Sequence, residues 1–137
     1  MKHVKLPRPL VNRILSLAQR APDREICGLI SARDNRPLRC IPIANTAEQP
    51  ERLFTMDPAQ QIDAMRQMRE QGETLFAIYH SHPTGPAEPS VTDIEQAGYP
   101  EALHLIVSLN TEGVLELSGY RFEKDKAMAV HLEILED

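Results

Sequence analysis

The 137-residue sequence holds only two cysteines, Cys27 and Cys40. Two thiols with no close partner make neither a disulfide framework nor a C-x-x-C metal pair, so both are expected as buried thiols. Positive charge is also scarce, with 15 Lys and Arg against 20 Asp and Glu and a formal net charge of −5. That balance argues against the basic footprint of a nucleic-acid binder and suits an anionic membrane no better. No apolar stretch approaches the ~18 residues of a spanning helix, and MKHVKLPRPL lacks the apolar segment of a signal peptide. A cytoplasmic location is the expectation. Repeats, linkers and low-complexity tracts are absent as well. What is present is an ordinary globular composition, 42% hydrophobic and 26% charged, over a length that one core can organise. A single domain over residues 1–137 is expected.

Leu10, Val11, Ile14, Leu15 and Ala18 recur at helical spacing, which predicts an amphipathic helix from about Pro7 to Gln19, ended by Pro22. Glu25 to Ser31 is a short apolar run behind one carboxylate and reads as a buried strand. Arg39 to Ala44 is its expected partner across a polar turn at Asp34 and Asn35. Residues 45–54 are polar and aperiodic, which predicts a loop. Asp57 and Pro58 signal a helix start, with Ala59, Ile62, Met65 and Met68 as the apolar face and Gly72 at the C-terminal cap. Strands are expected at Thr74 to Tyr79, Leu103 to Leu109, Val114 to Phe122 and along the alternation of Met128, Val130, Leu132 and Ile134. A proline-rich loop, Pro83 to Pro89, and a short helix from Ser90 to about Ala97 lie between.

The chemistry concentrates after the Thr74 to Tyr79 strand. His80 and His82 at i and i+2 fall on one face of an extended segment with Cα atoms roughly 6 to 7 Å apart, so two imidazoles can converge on one metal. An isolated H-x-H is weak evidence. After seven residues, however, come Ser90 and then Asp93, a carboxylate able to swing back toward the strand end. Two His and a carboxylate with an open fourth position form a catalytic zinc set. Ser90 and Asp93 also fit a capping box, a reading that does not exclude the first. Glu25, leading into an apolar run, sits where burial can tune its pKa for proton transfer. His3, His104 and His131 have no motif around them and read as surface or core-edge residues. Thr84 and Gly85 stand where an H-x-H-x-D-H hydrolase would need Asp and His, and neither H-E-x-x-H nor a zinc deaminase signature occurs.

Glu25, then His80-Ser81-His82, seven residues, Ser90, two residues and Asp93 resembles the JAMM motif, E…H-[ST]-H-x7-S-x-x-D, of the MPN-domain zinc metalloproteases. The similarity extends to Pro22 to Leu29, Phe54 to Pro58 and Tyr79 to Pro83, and departs at Ser31, where a glycine often ends the first strand. It implies an α/β (α+β) fold, a mixed, curved sheet flanked by helices and similar to cytidine deaminases. It further implies one zinc per chain held by His80, His82 and Asp93, with water at the fourth position, Glu25 as general acid/base and Ser90 as a hydrogen-bond donor to the oxyanion. The compact form, without an added loop after Asp93, is similar to prokaryotic members that act on ubiquitin-like sulfur-carrier proteins at a C-terminal Gly-Gly. These trim an extension or cleave a conjugate, often beside a sulfur-carrier activating enzyme. Two other classes remain open at this point. A non-catalytic MPN interaction module would show decay of the motif, which is intact here. A RadC-type DNA-associated protein would carry a helix-hairpin-helix region and positive charge, neither of which is found.

Overall fold

The computed structural model describes residues 3–95, 99, 102–109, 115–123 and 126–136. Its elements are β1 (His3–Pro7), α1 (Arg8–Arg20), β2 (Cys27–Arg33), β3 (Arg36–Ile43), α2 (Pro58–Glu70), β4 (Thr74–His82), α3 (Val91–Glu95), β5 (Leu103–Ser108), β6 (Glu116–Glu123) and β7 (Lys126–Leu135). The seven strands form one mixed sheet in the order β1-β7-β6-β5-β4-β2-β3. The β1–β7 and β4–β5 pairs are parallel and the other pairs are antiparallel. No helix among the described residues is long and apolar enough to cross a membrane.

The alternation of β4 divides the core. Ala77 and Tyr79 face α1, whose Leu10, Val11, Ile14 and Ala18 close one apolar layer with Leu105 and Val107. Ile78 faces the other way, with Leu29, Ile43 and the α2 residues Ala64 and Met68. His80 and His82 share the parity of Ile78, so they emerge on the α2 side of the sheet. β4 is also bound on both flanks, to β2 and to β5, and its last six residues are buried.

Local sequence explains most of the joints. Asp34 and Asn35 both adopt positive φ, 54° and 64°, as a two-residue hairpin turn between twisted strands requires. Gly72 has φ 71°. Its N–H donates to the Arg69 carbonyl and that of Glu73 to the Met68 carbonyl, the pair of bonds that closes a Schellman motif. Ser31, the departure noted above, accepts the Arg39 N–H at 3.2 Å. It also bonds the buried Glu73, which Arg39 and Arg33 hold below the usual carboxylate range.

Several expectations need correction. β1 was not foreseen, because five residues of mixed polarity carry little strand signal until β7 lies beside them. The buried α2 face lies further round the helix than the predicted one. Ile62 is 70% exposed and the buried residues are Ala64 and Met68. A strict three-residue spacing drifts ~60° per step on a helix of 3.6 residues per turn, so Ala59 and Met68 fall on opposite sides. Asp57 occupies the N-cap position but makes no side-chain cap bond. Cys27 is buried as expected, and Cys40 only partly so. The short helix α3 is described only to Glu95, and residues 96–98 and 114 lie outside the described set.

Two glycines give a test of this fold. A Cβ on Gly28 would lie 2.5 Å from the Ile41 carbonyl oxygen and from Tyr79 Cζ, and neither strand can retreat. Gly28→Ala should destabilise the domain by ~1–3 kcal/mol through overpacking. At Gly72 nothing lies within 4 Å of the added carbon, so Gly72→Ala should lose only the ~1–2 kcal/mol of a left-handed alanine. Denaturant titration of both variants should show loosened packing, with altered near-ultraviolet dichroism, for Gly28→Ala alone.

Candidate metal centre

The end of β4, the start of α3 and the segment before β2 bring the predicted residues together. His80 Nε2 and His82 Nε2 lie 3.0 Å apart, and Asp93 Oδ2 stands 3.1 Å from the first and 3.2 Å from the second. Three electron-rich atoms therefore share one small volume. Ligands about 2.1 Å from a tetrahedral zinc lie ~3.4 Å from one another, close to the spacing found. The donor set thus fits zinc. Glu25 joins the same group more loosely, with ligand atoms of Glu25, His80 and His82 all within 4.8 Å of one another. Asp93 Oδ2 is in contact with both imidazoles, and Glu25 adds a second carboxylate to the group. Glu25 Oε1 is buried and has no hydrogen-bond partner among the described residues.

Each side chain is set by a local device. His82 Nδ1 lies 2.7 Å from the Pro86 carbonyl; a carbonyl can only accept, so Nδ1 carries the proton and Nε2 keeps its lone pair in the neutral ring. The Pro83 to Pro89 loop is itself pinned, by Ser108 Oγ donating to the Gly85 carbonyl (2.7 Å) and the Tyr120 hydroxyl to that of Ala87 (3.1 Å). Phe54 stacks on His80 at 4.4 Å between ring centroids. Ser90 and Asp93 form the capping box. The Ser90 N–H donates to Asp93 Oδ2 (2.9 Å), and the Asp93 N–H donates to Ser90 Oγ (3.0 Å). Cap and convergence on the histidines coexist in one carboxylate.

Glu25 is held through its backbone. Its N–H donates to the Pro50 carbonyl (2.7 Å), and the next residue, Ile26, exchanges bonds with Ser81, N–H to Oγ at 2.9 Å and Ser81 N–H to the Ile26 carbonyl at 3.0 Å. Asn45 organises the loop above. Its Nδ2 donates to the carbonyls of Glu25 and Leu53, and its Oδ1 accepts the N–H groups of Ala47 and Thr55. The expected loop is thus closed at its base, with a bridge between Asn45 and Met56. Asn45 gives no signal in the sequence, since an Asn in a polar stretch has no periodicity around it, and Phe54 stands out there only as the start of the Phe54 to Pro58 similarity.

The electrostatics follow from burial and contact. Burial raises the Glu25 carboxyl to about 7, with His82 opposing and Asp93 adding to the effect. Burial lowers the His80 imidazole. At Asp93 burial resists ionisation, but close contact with both imidazoles outweighs it and holds the carboxyl well below the usual range. Two hollows meet at the centre. One, of about 320 Å³, is lined by Glu25, Arg52, His82 and Ser90 together with residues of both the 45–54 and the proline-rich loops. The other, of about 350 Å³, is lined by Phe54, Met56, Ile78, His80, Asp93 and His104 among others.

The chain is similar to known proteins over most of its length. Residues 7–118 match the family model described as prokaryotic homologs of the JAB domain. A CysO-cysteine peptidase of Mycobacterium tuberculosis is 35% identical over 114 residues, covering 82% of this chain and 77% of that protein. A probable TtuB-protein conjugate cleaving protease of Thermus thermophilus is 36% identical over 92 residues, 67% of this chain and 62% of that one. Among solved structures, the solution structure of a Desulfitobacterium hafniense protein superimposes with a TM-score of 0.85 at 30% identity, covering 97% of this chain and 93% of that one. With the motif residues gathered at one point and the family match spanning most of its length, the chain belongs to the prokaryotic branch of the JAB, or JAMM/MPN, domain family.

Proposed function

We propose that this protein is a zinc-dependent peptidase or isopeptidase that hydrolyses the amide bond after a C-terminal Gly-Gly of a ubiquitin-like sulfur carrier. The observation that carries the proposal is the convergence of His80 Nε2, His82 Nε2 and Asp93 Oδ2 within 3.2 Å, beside a buried carboxylate, where two hollows meet. His80, His82 and Asp93 would hold one zinc. When bound, zinc supplies a Lewis acid and brings the pKa of water to about 7. Glu25, with a carboxylate oxygen within 4.8 Å of the imidazole nitrogens, is assigned to proton transfer rather than to coordination. It is close enough to take the proton of the attacking water and return it to the leaving nitrogen. The Ser90 hydroxyl uses its oxygen to accept the Asp93 N–H, which leaves its proton free for the developing oxyanion.

The substrate class rests on the family and on the hollow shaped by the 45–54 and 83–89 loops. An extended tail held there by backbone bonds needs glycine where the walls come closest. The names of the relatives, a CysO-cysteine peptidase and a TtuB-protein conjugate cleaving protease, support a small carrier protein as the acyl partner. A sulfur-carrier activating enzyme would then supply the loaded carrier.

Metal analysis should find one zinc per chain. Chelation should abolish activity with little loss of secondary structure, because the core of a 137-residue domain does not depend on a metal staple. Glu25→Gln should retain zinc and lose ~10²–10⁴-fold in rate, whereas His82→Ala should lose metal and activity together. Equal metal loss in the two variants would overturn this division of roles.

A carrier extended beyond Gly-Gly should be cut after the second glycine, with little turnover of casein. Mass spectrometry of the products, compared with a carrier bearing bulky residues at both glycines, checks this. Equal cleavage of the two carriers would sink the narrow-channel argument, and cleavage of neither would favour a non-catalytic binding module.

A further inference from the structure

Two buried ring nitrogens beside the metal centre have no hydrogen-bond partner among the described residues, His80 Nδ1 and His104 Nε2. Both rings are almost fully enclosed, at 1% and 5% exposure. They stand on adjacent parallel strands. In the β4–β5 register Ile78 lies beside His104 and His80 beside Ile106, so the two imidazoles are diagonal neighbours on one face of the sheet. Side chains so related have Cβ atoms roughly 7–8 Å apart or less. Both also line the 350 Å³ hollow.

Their hydrogen-bonding roles are complementary. A ring N–H of His104 donates to the Tyr99 backbone; since Nε2 has no partner, the donor is Nδ1, and Nε2 is left as a lone pair. Burial pushes this imidazole down to about 4, so the ring is neutral near pH 7 and Nε2 is an acceptor. His80 turns its Nε2 toward His82 and Asp93. For that nitrogen to offer a lone pair to an ion in a neutral ring, Nδ1 must carry the proton. One orphan is therefore a donor and the other an acceptor. Thr92 and Tyr99 line the same hollow, which adds hydroxyl groups where a bridging water would need its further partners.

We infer that His104 is a positioning residue of the metal centre, whose Nε2 receives the His80 Nδ1 proton through one buried water and so fixes the His80 ring for coordination. A water bridge spans two hydrogen bonds, or about 5 to 6 Å between the nitrogens. Phe54 stacks on His80 and limits tilt of its ring, but stacking cannot choose which nitrogen carries the proton. The bridge does so, as the outer partners of metal-bound histidines commonly do. The inference rests on the zinc reading above and assigns no group that touches substrate.

The test is zinc affinity, measured by competition against a chromophoric chelator, with wild type, His104→Phe and His104→Gln. His104→Phe keeps a ring against Phe122, on which His104 stacks, and removes the acceptor; zinc binding should weaken ~10- to 100-fold. His104→Gln keeps an acceptor and should recover most of that loss. Thermal unfolding in chelator should separate the ranks, since a merely structural role would lower both variants without regard to the acceptor. Wild-type affinity in His104→Phe, or equal loss in both variants, would overturn the inference while leaving the zinc reading intact. Failure of the wild type itself to bind zinc would overturn the zinc reading and this inference with it. A second readout needs no variant. In the zinc-loaded wild type, proton–nitrogen NMR should show a His80 Nδ1 proton that exchanges slowly with solvent, and exchange as fast as at the exposed His3 would refute the bridge.

Discussion

Strand β4 carries the constraint on which the rest depends, because it is hydrogen-bonded on both flanks and buried on both faces. A strand so enclosed has no freedom of register. A slip of one residue would carry Tyr79 out of the α1 layer and exchange the histidine face for the serine face. The pairing of Cys27 with His80 and of Ile106 with His80 on the other side fixes the imidazoles relative to both neighbours. Ser81, between the two histidines, points the other way and grips Ile26. One residue of the strand thus holds the segment carrying Glu25 while its neighbours face Asp93. Hydrophobic packing and site geometry are two outcomes of the same alternation.

The loops around the centre are ordered by polar side chains rather than by an apolar core of their own. Asn45 uses both donor and acceptor ends across the 45–55 segment, and Ser108, Tyr120 and His82 each hold a carbonyl of the proline-rich loop. Prolines lower the entropy of the free loop, so a few hydrogen bonds suffice to hold it. The result is a hollow walled by these two loops on one side of the convergence point and a second, lined by Phe54, Met56 and Ile78, on the other.

Much of this was legible from sequence, for reasons that differ by residue. The strand carrying His80 and His82 announces itself by an apolar run ending in a period-two pair, and Ser90 and Asp93 by cap spacing. Glu25 could be suspected only from its apolar neighbours and from the resemblance. His104 was set aside because nothing local distinguishes it; its position arises from the parallel pairing of β4 with β5, a relation between segments some 25 residues apart in chain order. The α2 face was misjudged because a three-residue repeat imitates a helical stripe over one step and departs from it over three. β1 gains its identity only from β7.

The carboxylate of Asp93 serves two masters, the backbone N–H of Ser90 and the pair of imidazoles, through the same oxygen. The start of α3 and the histidine pair are therefore one mechanical unit. A side chain that caps a helix cannot withdraw from the imidazoles without unwinding the turn that carries it, and that turn borders the hollow between the 45–54 and 83–89 loops. If zinc is held there as proposed, its loading would be felt as stiffness in the hollow's rim, so that occupancy of the centre and readiness of the hollow for a peptide would rise and fall together.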